Sequence, residues 1–173
     1  MYLTTHAAVG ILISEAVKNP TEAFFFAFAS HFVLDIIPHG DEHVEEWARK
    51  KSRYALFVAV VDIGLLTALL GSLYTTNNLP RVALLSAGII GSILPDFLSI
   101  VFPVIHQYTN WFFLIRLFHW AQRKLGLPYL WRGHNWFHHV MHRVIHKRIS
   151  LTKGLIMQVA IVVVALLIAA KLY

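Results

Sequence analysis

Three long apolar stretches constrain the fold of this chain more than any other feature of its sequence. They cover residues 54–74, 82–105 and 154–172, and each of them contains a single charged residue. A helix rises about 1.5 Å per residue, so about 20 apolar residues cross a hydrocarbon layer of roughly 30 Å. We therefore predict three membrane-spanning helices.

The N-terminal part predicts a shorter helical hairpin. Residues 2–17 and 23–37 are apolar but slightly short for a full crossing, and the proline-containing turn KNPTE separates them. We expect a pair of helices that either crosses obliquely or enters and leaves by the same side. The expected fold is all-α, a polytopic membrane bundle of about five segments in a single domain over residues 1–173.

The distribution of basic residues predicts the orientation of this bundle. The chain has 15 Lys and Arg against nine Asp and Glu, a net charge of +6. If the N-terminus is inside and all five segments cross, the inner loops at 38–53 and 106–153 hold twelve of the basic residues, which satisfies the positive-inside rule. Membrane lipids then account for the charge, and no nucleic-acid partner is expected.

Ionisable residues interrupt the apolar segments at a common depth. Such groups are costly in hydrocarbon and usually face a partner or a metal. Imidazole and carboxylate together suit zinc, manganese or iron, and the chain has no cysteine to supply thiolate. We predict a site for one to three divalent ions, with zinc favoured; singly, each residue also fits a hydrogen-bonded packing role. The members are His6, His31, Asp35, Asp62 and Asp96, with His39, Asp41 and His43 directly beneath them.

A second histidine cluster lies in the long loop that we place on the cytoplasmic side, residues 106–153. The sequence HNWFHHVMHRVIH at 134–146 puts His134, His138 and His142 on one helical face and His139 on a neighbouring face. Aromatic residues are frequent over 111–137, which is typical of an amphipathic segment at the bilayer interface. We treat His134, His138, His139 and His43 as further metal candidates; contact with lipid phosphates is the alternative.

Three motifs carry a resemblance to a known family. TTHAAVG at 4–10, SHFVLDIIPHGD at 30–41 and GSILPDF at 91–97 together resemble small bacterial inner-membrane proteins described as membrane-bound metal-dependent hydrolases. More distantly, the chain is similar to zinc-dependent phospholipase C and the P1-type nucleases. The closer resemblance covers roughly residues 1–120 and implies an inner-membrane location. It implies metal roles for His6, His31, Asp35, His39, Asp96 and His119.

These features favour hydrolysis of a phosphoester, a phospholipid or a lipid-linked phosphate, at the cytoplasmic face. Arg49, Lys50 and Arg53 are candidates to hold the phosphate, and Asp62 and Asp41 are candidates for the general base. One alternative is a membrane di-iron oxygenase, because HGDEH at 39–43 and HNWFHH at 134–139 resemble its histidine boxes. Another is a metal carrier or structural membrane protein without enzymatic activity.

Overall fold

The computed structural model describes residues 1–40, 50, 53–76, 79–108 and 149–172, and isolated positions between 120 and 145. The described ranges are helical and contain no strand. They form five main helices: α1 (Leu3–Val17), α2 (Pro20–Ile36), α3 (Arg53–Thr76), α4 (Leu79–Tyr108) and α5 (Leu151–Leu172). The all-α prediction is confirmed for this part of the chain.

The three long apolar stretches are each contained in one helix. Their membrane-compatible parts are Leu56–Thr75 in α3, Pro80–Ser99 in α4 and Leu151–Leu172 in α5. Each is long and apolar enough to cross a bilayer, so the architecture is compatible with an integral membrane protein. Helix α1 is apolar as well, but its 15 residues make it shorter.

A tight turn joins α1 to α2 and confirms the predicted hairpin. Lys18 ends α1 in the left-handed conformation, with φ of 56°. The side chain of Asn19 accepts hydrogen bonds from the amides of Thr21 and Glu22, and Pro20 occupies the first helical position. Because Asn followed by Pro forms a cap and a preset first residue, α2 begins three residues before the predicted 23.

Helix α1 lies at the centre of the bundle and packs against the other four helices. Its apolar contacts include Ala7 and Ile11, which join Leu85 and Ile89 of α4 in the buried core. Gly10 makes the crossing with α4 close, because a Cβ atom there would lie 2.5 Å from the carbonyl oxygen of Gly88. Small residues commonly allow this kind of backbone approach between membrane helices.

The helices alternate in direction, which places chemically important segments at one end of the bundle. Helices α1, α3 and α5 begin there, whereas α2 and α4 run towards it. At the opposite end, Arg81 Nη2 of α4 lies 2.7 Å from Glu15 Oε1 of α1 and forms an ion pair. We call the end that contains the start of α1 the proximal end, and the end with this ion pair the distal end.

Candidate metal centre

Two histidines and two aspartates from three helices meet at the proximal end. His6 lies in the first turn of α1, His31 and Asp35 lie near the end of α2, and Asp96 lies in α4. Asp35 Oδ1 is 3.3 Å from His6 Nε2, and Asp35 Oδ2 is 3.0 Å from His31 Nε2. Asp96 approaches the same two nitrogens at 4.0 and 3.7 Å. The sequence prediction that these four residues converge is therefore confirmed.

Three of these residues have the geometry of a metal-binding group. His6, His31 and Asp96 each offer one ligand atom, and these atoms lie within 4.8 Å of one another. The two imidazole rings stack, with centroids 4.0 Å apart and planes inclined by 22°. Two imidazoles and a carboxylate are a ligand set found at catalytic zinc sites.

The group is closed on most sides. The side chains of His6, His31 and Asp35 have no exposed surface, whereas the side chain of Asp96 is 18% exposed. Asp96 is therefore the member through which a ligand can reach the group.

A backbone contact fixes the orientation of His31. Its Nδ1 lies 2.7 Å from the carbonyl oxygen of Ser92, and because a carbonyl can only accept, Nδ1 carries the proton. Nε2 of the same ring faces the carboxylates of Asp35 and Asp96. This is the arrangement by which second-sphere carbonyls orient metal-binding histidines.

His6 has no well-formed hydrogen bond among the residues that the structure describes. Both of its ring nitrogens are buried, and Nε2 lies 3.3 Å from Asp35 Oδ1 without hydrogen-bond geometry. Buried nitrogens of this kind almost always have a partner in folded proteins. A divalent ion would supply one, and it would also let neighbouring carboxylates stay ionised together. The residues present therefore fit a divalent metal.

Asp62 and Gln158 accept hydrogen bonds from the start of α1 and thereby fix the position of His6, which lies in the first turn of that helix. Asp62 of α3 accepts hydrogen bonds from the amide of Leu3 at 2.8 Å and from the amide and hydroxyl of Thr4 at 3.0 and 2.6 Å. Gln158 of α5 accepts from the amide of Tyr2 at 2.8 Å. Amides at a helix start need such acceptors where water is scarce. Asp62 thus caps α1, and its use as a general base stays a prediction.

His39 lies beside the metal-binding group rather than in it. Its Nε2 is 2.8 Å from the amino group of Met1, which is also 3.1 Å from Asp35 Oδ1. Its Nδ1 donates a hydrogen bond to the carbonyl of Ile37 at 2.6 Å. His39 therefore contacts the site through Met1, and the metal role that the resemblance implies for it stays a prediction.

Several predicted site residues lie outside the described residues. They are Asp41, His43, Arg49, His119, His134, His138 and His139. Lys50 and Arg53 are exposed beside the start of α3, at the proximal end where a phosphate-binding role was predicted. Phe137, at an isolated described position of the long loop, packs edge-on against Phe32 of α2 at 5.0 Å.

Two important contributors were missed in the sequence. The carbonyl of Ser92 orients His31, and Gln158 holds the start of α1. A backbone carbonyl leaves no signal in a sequence. Gln158 does leave a signal in the sequence, because it is an isolated amide in the apolar stretch 154–172. The prediction of site residues rested on ionisable side chains and therefore did not include it.

No protein-family model, curated protein or solved structure matches this chain. Any function proposed for it must therefore come from the geometry of its own side chains.

Proposed function

We propose that this chain is a membrane-embedded, metal-dependent hydrolase that acts on phosphoesters of the bilayer, either a phospholipid or a lipid-linked phosphate. The observation that carries the proposal is the convergence of two buried imidazoles on two carboxylates, with one side open at Asp96. An open metal site without thiolate ligands is typical of hydrolysis rather than of structural support.

Each residue of the centre has a role in this proposal. His6, His31 and Asp96 would hold a divalent cation, and we propose zinc, with manganese and iron as the alternatives. Two imidazoles and a carboxylate hold zinc in hydrolases and iron in oxygenases, so the metal itself has to be measured. Asp35, which contacts both imidazoles, keeps their nitrogens directed into the group. A bound cation would polarise a phosphoryl oxygen and make a water molecule more acidic. Lys50 and Arg53, with Arg49, would attract the phosphate to the proximal end.

The depth of the centre supports a substrate that resides in the bilayer. Asp62 lies six residues inside the apolar part of α3, Gln158 seven residues inside α5, and Asp96 three residues inside the apolar part of α4. At about 1.5 Å per residue these positions are roughly 5 to 11 Å from the proximal ends of those segments. If the three helices cross the membrane, the centre lies below the headgroup layer, where a lipid has access and a soluble ester does not.

The charge distribution supports the orientation of the proposed enzyme. The loops at 38–53 and 106–153 follow or precede the proximal ends of the helices and hold most of the basic residues. The positive-inside rule then places the proximal end in the cytoplasm, and we propose a bacterial inner membrane as the location.

Metal analysis of purified variants tests the centre. We expect His31→Ala and Asp35→Ala to lower zinc affinity at least about tenfold, because each change removes an oriented donor or its carboxylate partner. Ser30→Ala is the matched control, since the Ser30 hydroxyl donates to the carbonyl of Ala27 in its own helix. Zinc content measured by mass spectrometry should fall in the two site variants and stay unchanged in the control. Unchanged zinc content in both site variants would contradict the metal centre.

Turnover assays test the substrate. The wild-type protein, loaded with zinc in vesicles of phosphatidylglycerol, should release a hydrolysis product that His31→Ala does not release. A water-soluble phosphodiester, offered at the same concentration, should be turned over far more slowly. Hydrolysis of the soluble ester alone would contradict a bilayer substrate. Copurified iron together with a need for oxygen and an electron donor would instead indicate the oxygenase.

A further inference from the structure

The amide side chain of Gln158 bonds to two separate segments that contribute to the candidate metal centre. Its Oε1 accepts from the amide of Tyr2 at 2.8 Å and from the hydroxyl of Thr5 at 3.3 Å, and these residues lie four and one positions before His6. Its Nε2 donates to the carbonyl of His39 at 3.1 Å. Gln158 is buried, with 1% of its surface exposed. One side chain of α5 thus links the start of α1 to the segment that leaves α2.

A close backbone approach one turn earlier in α5 reinforces this link. Gly154 lies so near the chain at His39 and Gly40 that a Cβ atom would clash with the carbonyl of His39. Gly40 itself has φ of 82°, a conformation that favours glycine. Helix α5 therefore supports the turn after α2 by direct contact at Gly154 and by a hydrogen bond at Gln158.

From these contacts we propose that Gln158 is a positioning residue, which fixes the spacing between His6 of α1 and the His31–Asp35 pair of α2. The inference rests on the metal centre of the proposed function. An amide suits the task because it accepts on one atom and donates from another, so it can bond to two segments at once. An ionised carboxylate can accept the two bonds from α1 but has no proton to donate to the carbonyl of His39. Thr5 and His39 are buried, so the loss of a hydrogen bond there is more costly than at an exposed site.

Cobalt binding measures the position of the ligands directly. We use Co²⁺ as the probe because its visible absorption depends on the geometry of the donors, which a loss of stability alone would not alter in the folded fraction. For Gln158→Leu, we expect Co²⁺ affinity to fall about tenfold, the scale found for residues that orient ligands. The absorption spectrum of the bound ion should change as well. Val159→Ala is the matched control, since Val159 is the next residue of α5 and is exposed.

Gln158→Glu tests the hydrogen bond to His39 separately from the hydrogen bonds to Tyr2 and Thr5. At high pH, where the buried carboxyl group is ionised, it still accepts from Tyr2 and Thr5 but cannot donate to the carbonyl of His39, so the spectra are compared there. We expect an altered Co²⁺ spectrum in this variant with native helix content by circular dichroism, and this variant decides the matter if Gln158→Leu does not fold. Wild-type affinity and spectrum in both variants would overturn the positioning role alone. Absence of Co²⁺ and Zn²⁺ binding in the wild-type protein would overturn the proposed function together with it.

Discussion

At the scale of single residues, the polar groups in the apolar segments have two different roles. His6, His31 and Asp35 form the candidate metal centre, whereas Asp62 satisfies the amides at the start of α1. The position of each residue within its apolar segment predicts that all of them lie at the same depth in the bundle. It does not predict which of them bind a metal and which cap a helix. The separation depends on which helix end lies beside each carboxylate, and that is a property of the packed bundle.

Substitutions of Asp62 distinguish a helix cap from a general base. Asp62→Leu removes the carboxylate that accepts from the amides of Leu3 and Thr4, and we expect it to lower the free energy of unfolding by about 1–2 kcal/mol. Asp62→Asn keeps an oxygen acceptor and should lose much less. Denaturant unfolding followed by circular dichroism measures both. Thr67→Val is the control on α3, because Thr67 is exposed and its hydroxyl donates to the carbonyl of Ile63 in its own helix.

The activity of Asp62→Asn completes this test. If Asp62 acts only as a cap, the asparagine variant keeps both its bound zinc and its activity. A stable, zinc-loaded Asp62→Asn protein without activity would identify Asp62 as the base, because an amide cannot take up the proton.

At the scale of helices, the close contact of α1 and α4 sets the distance between ligands. Gly10 and Gly88 meet backbone to backbone, and about one helical turn beyond each of them lie the residues that face the centre, His6 and Ser92. The helices themselves were predictable from apolar length, and so was the proline-containing turn before α2. The contact between Gly10 and Gly88 was not predictable, because nothing in the sequence around a glycine in an apolar stretch indicates which residue of another helix it contacts.

Gly88→Ala tests the helix contact. A methyl group there would meet the carbonyl of Gly10 and the hydroxyl of Ser14, so we expect α1 and α4 to separate. Overpacking of this kind costs about 1–3 kcal/mol, and the shift should also weaken zinc binding because His6 moves away from Asp96. Thermal unfolding and zinc titration measure the two effects. Gly71→Ala on α3, where a Cβ atom meets nothing within 4 Å, should leave both unchanged.

At the scale of the whole molecule, the alternation of helix directions brings distant parts of the sequence to one end. The order of the long segments followed from hydropathy, whereas their orientation stays a prediction of the positive-inside rule. Which of the residues at this depth belong to the centre could not be predicted in the same way. The depth of a residue does not determine how its helix is rotated about its axis, and this rotation decides which neighbours the side chain faces. His39 illustrates this: it lies at the expected level, yet it faces Met1.

Single cysteines test this arrangement, because the chain contains none of its own. Lys18 and Lys171 are exposed at the distal ends of α1 and α5, and Lys50 and Ser150 are exposed at the proximal end. A membrane-impermeant maleimide added to intact cells should label Lys18→Cys and Lys171→Cys, and should label Lys50→Cys and Ser150→Cys only after permeabilisation. Reversed labelling would refute the cytoplasmic orientation, and different labelling of Lys18→Cys and Lys171→Cys would refute the helix order.

The position of Gln158 near the end of the chain has a consequence for biogenesis. The four residues of the centre all precede α5 in the sequence, and Asp96 is the last of them. The ribosome therefore synthesises all four before it begins α5. The nascent chain thus acquires its donor atoms long before it acquires the amide that holds two of their segments in place. If Gln158 positions the centre as proposed, the centre reaches its final shape only after α5 has packed against α1.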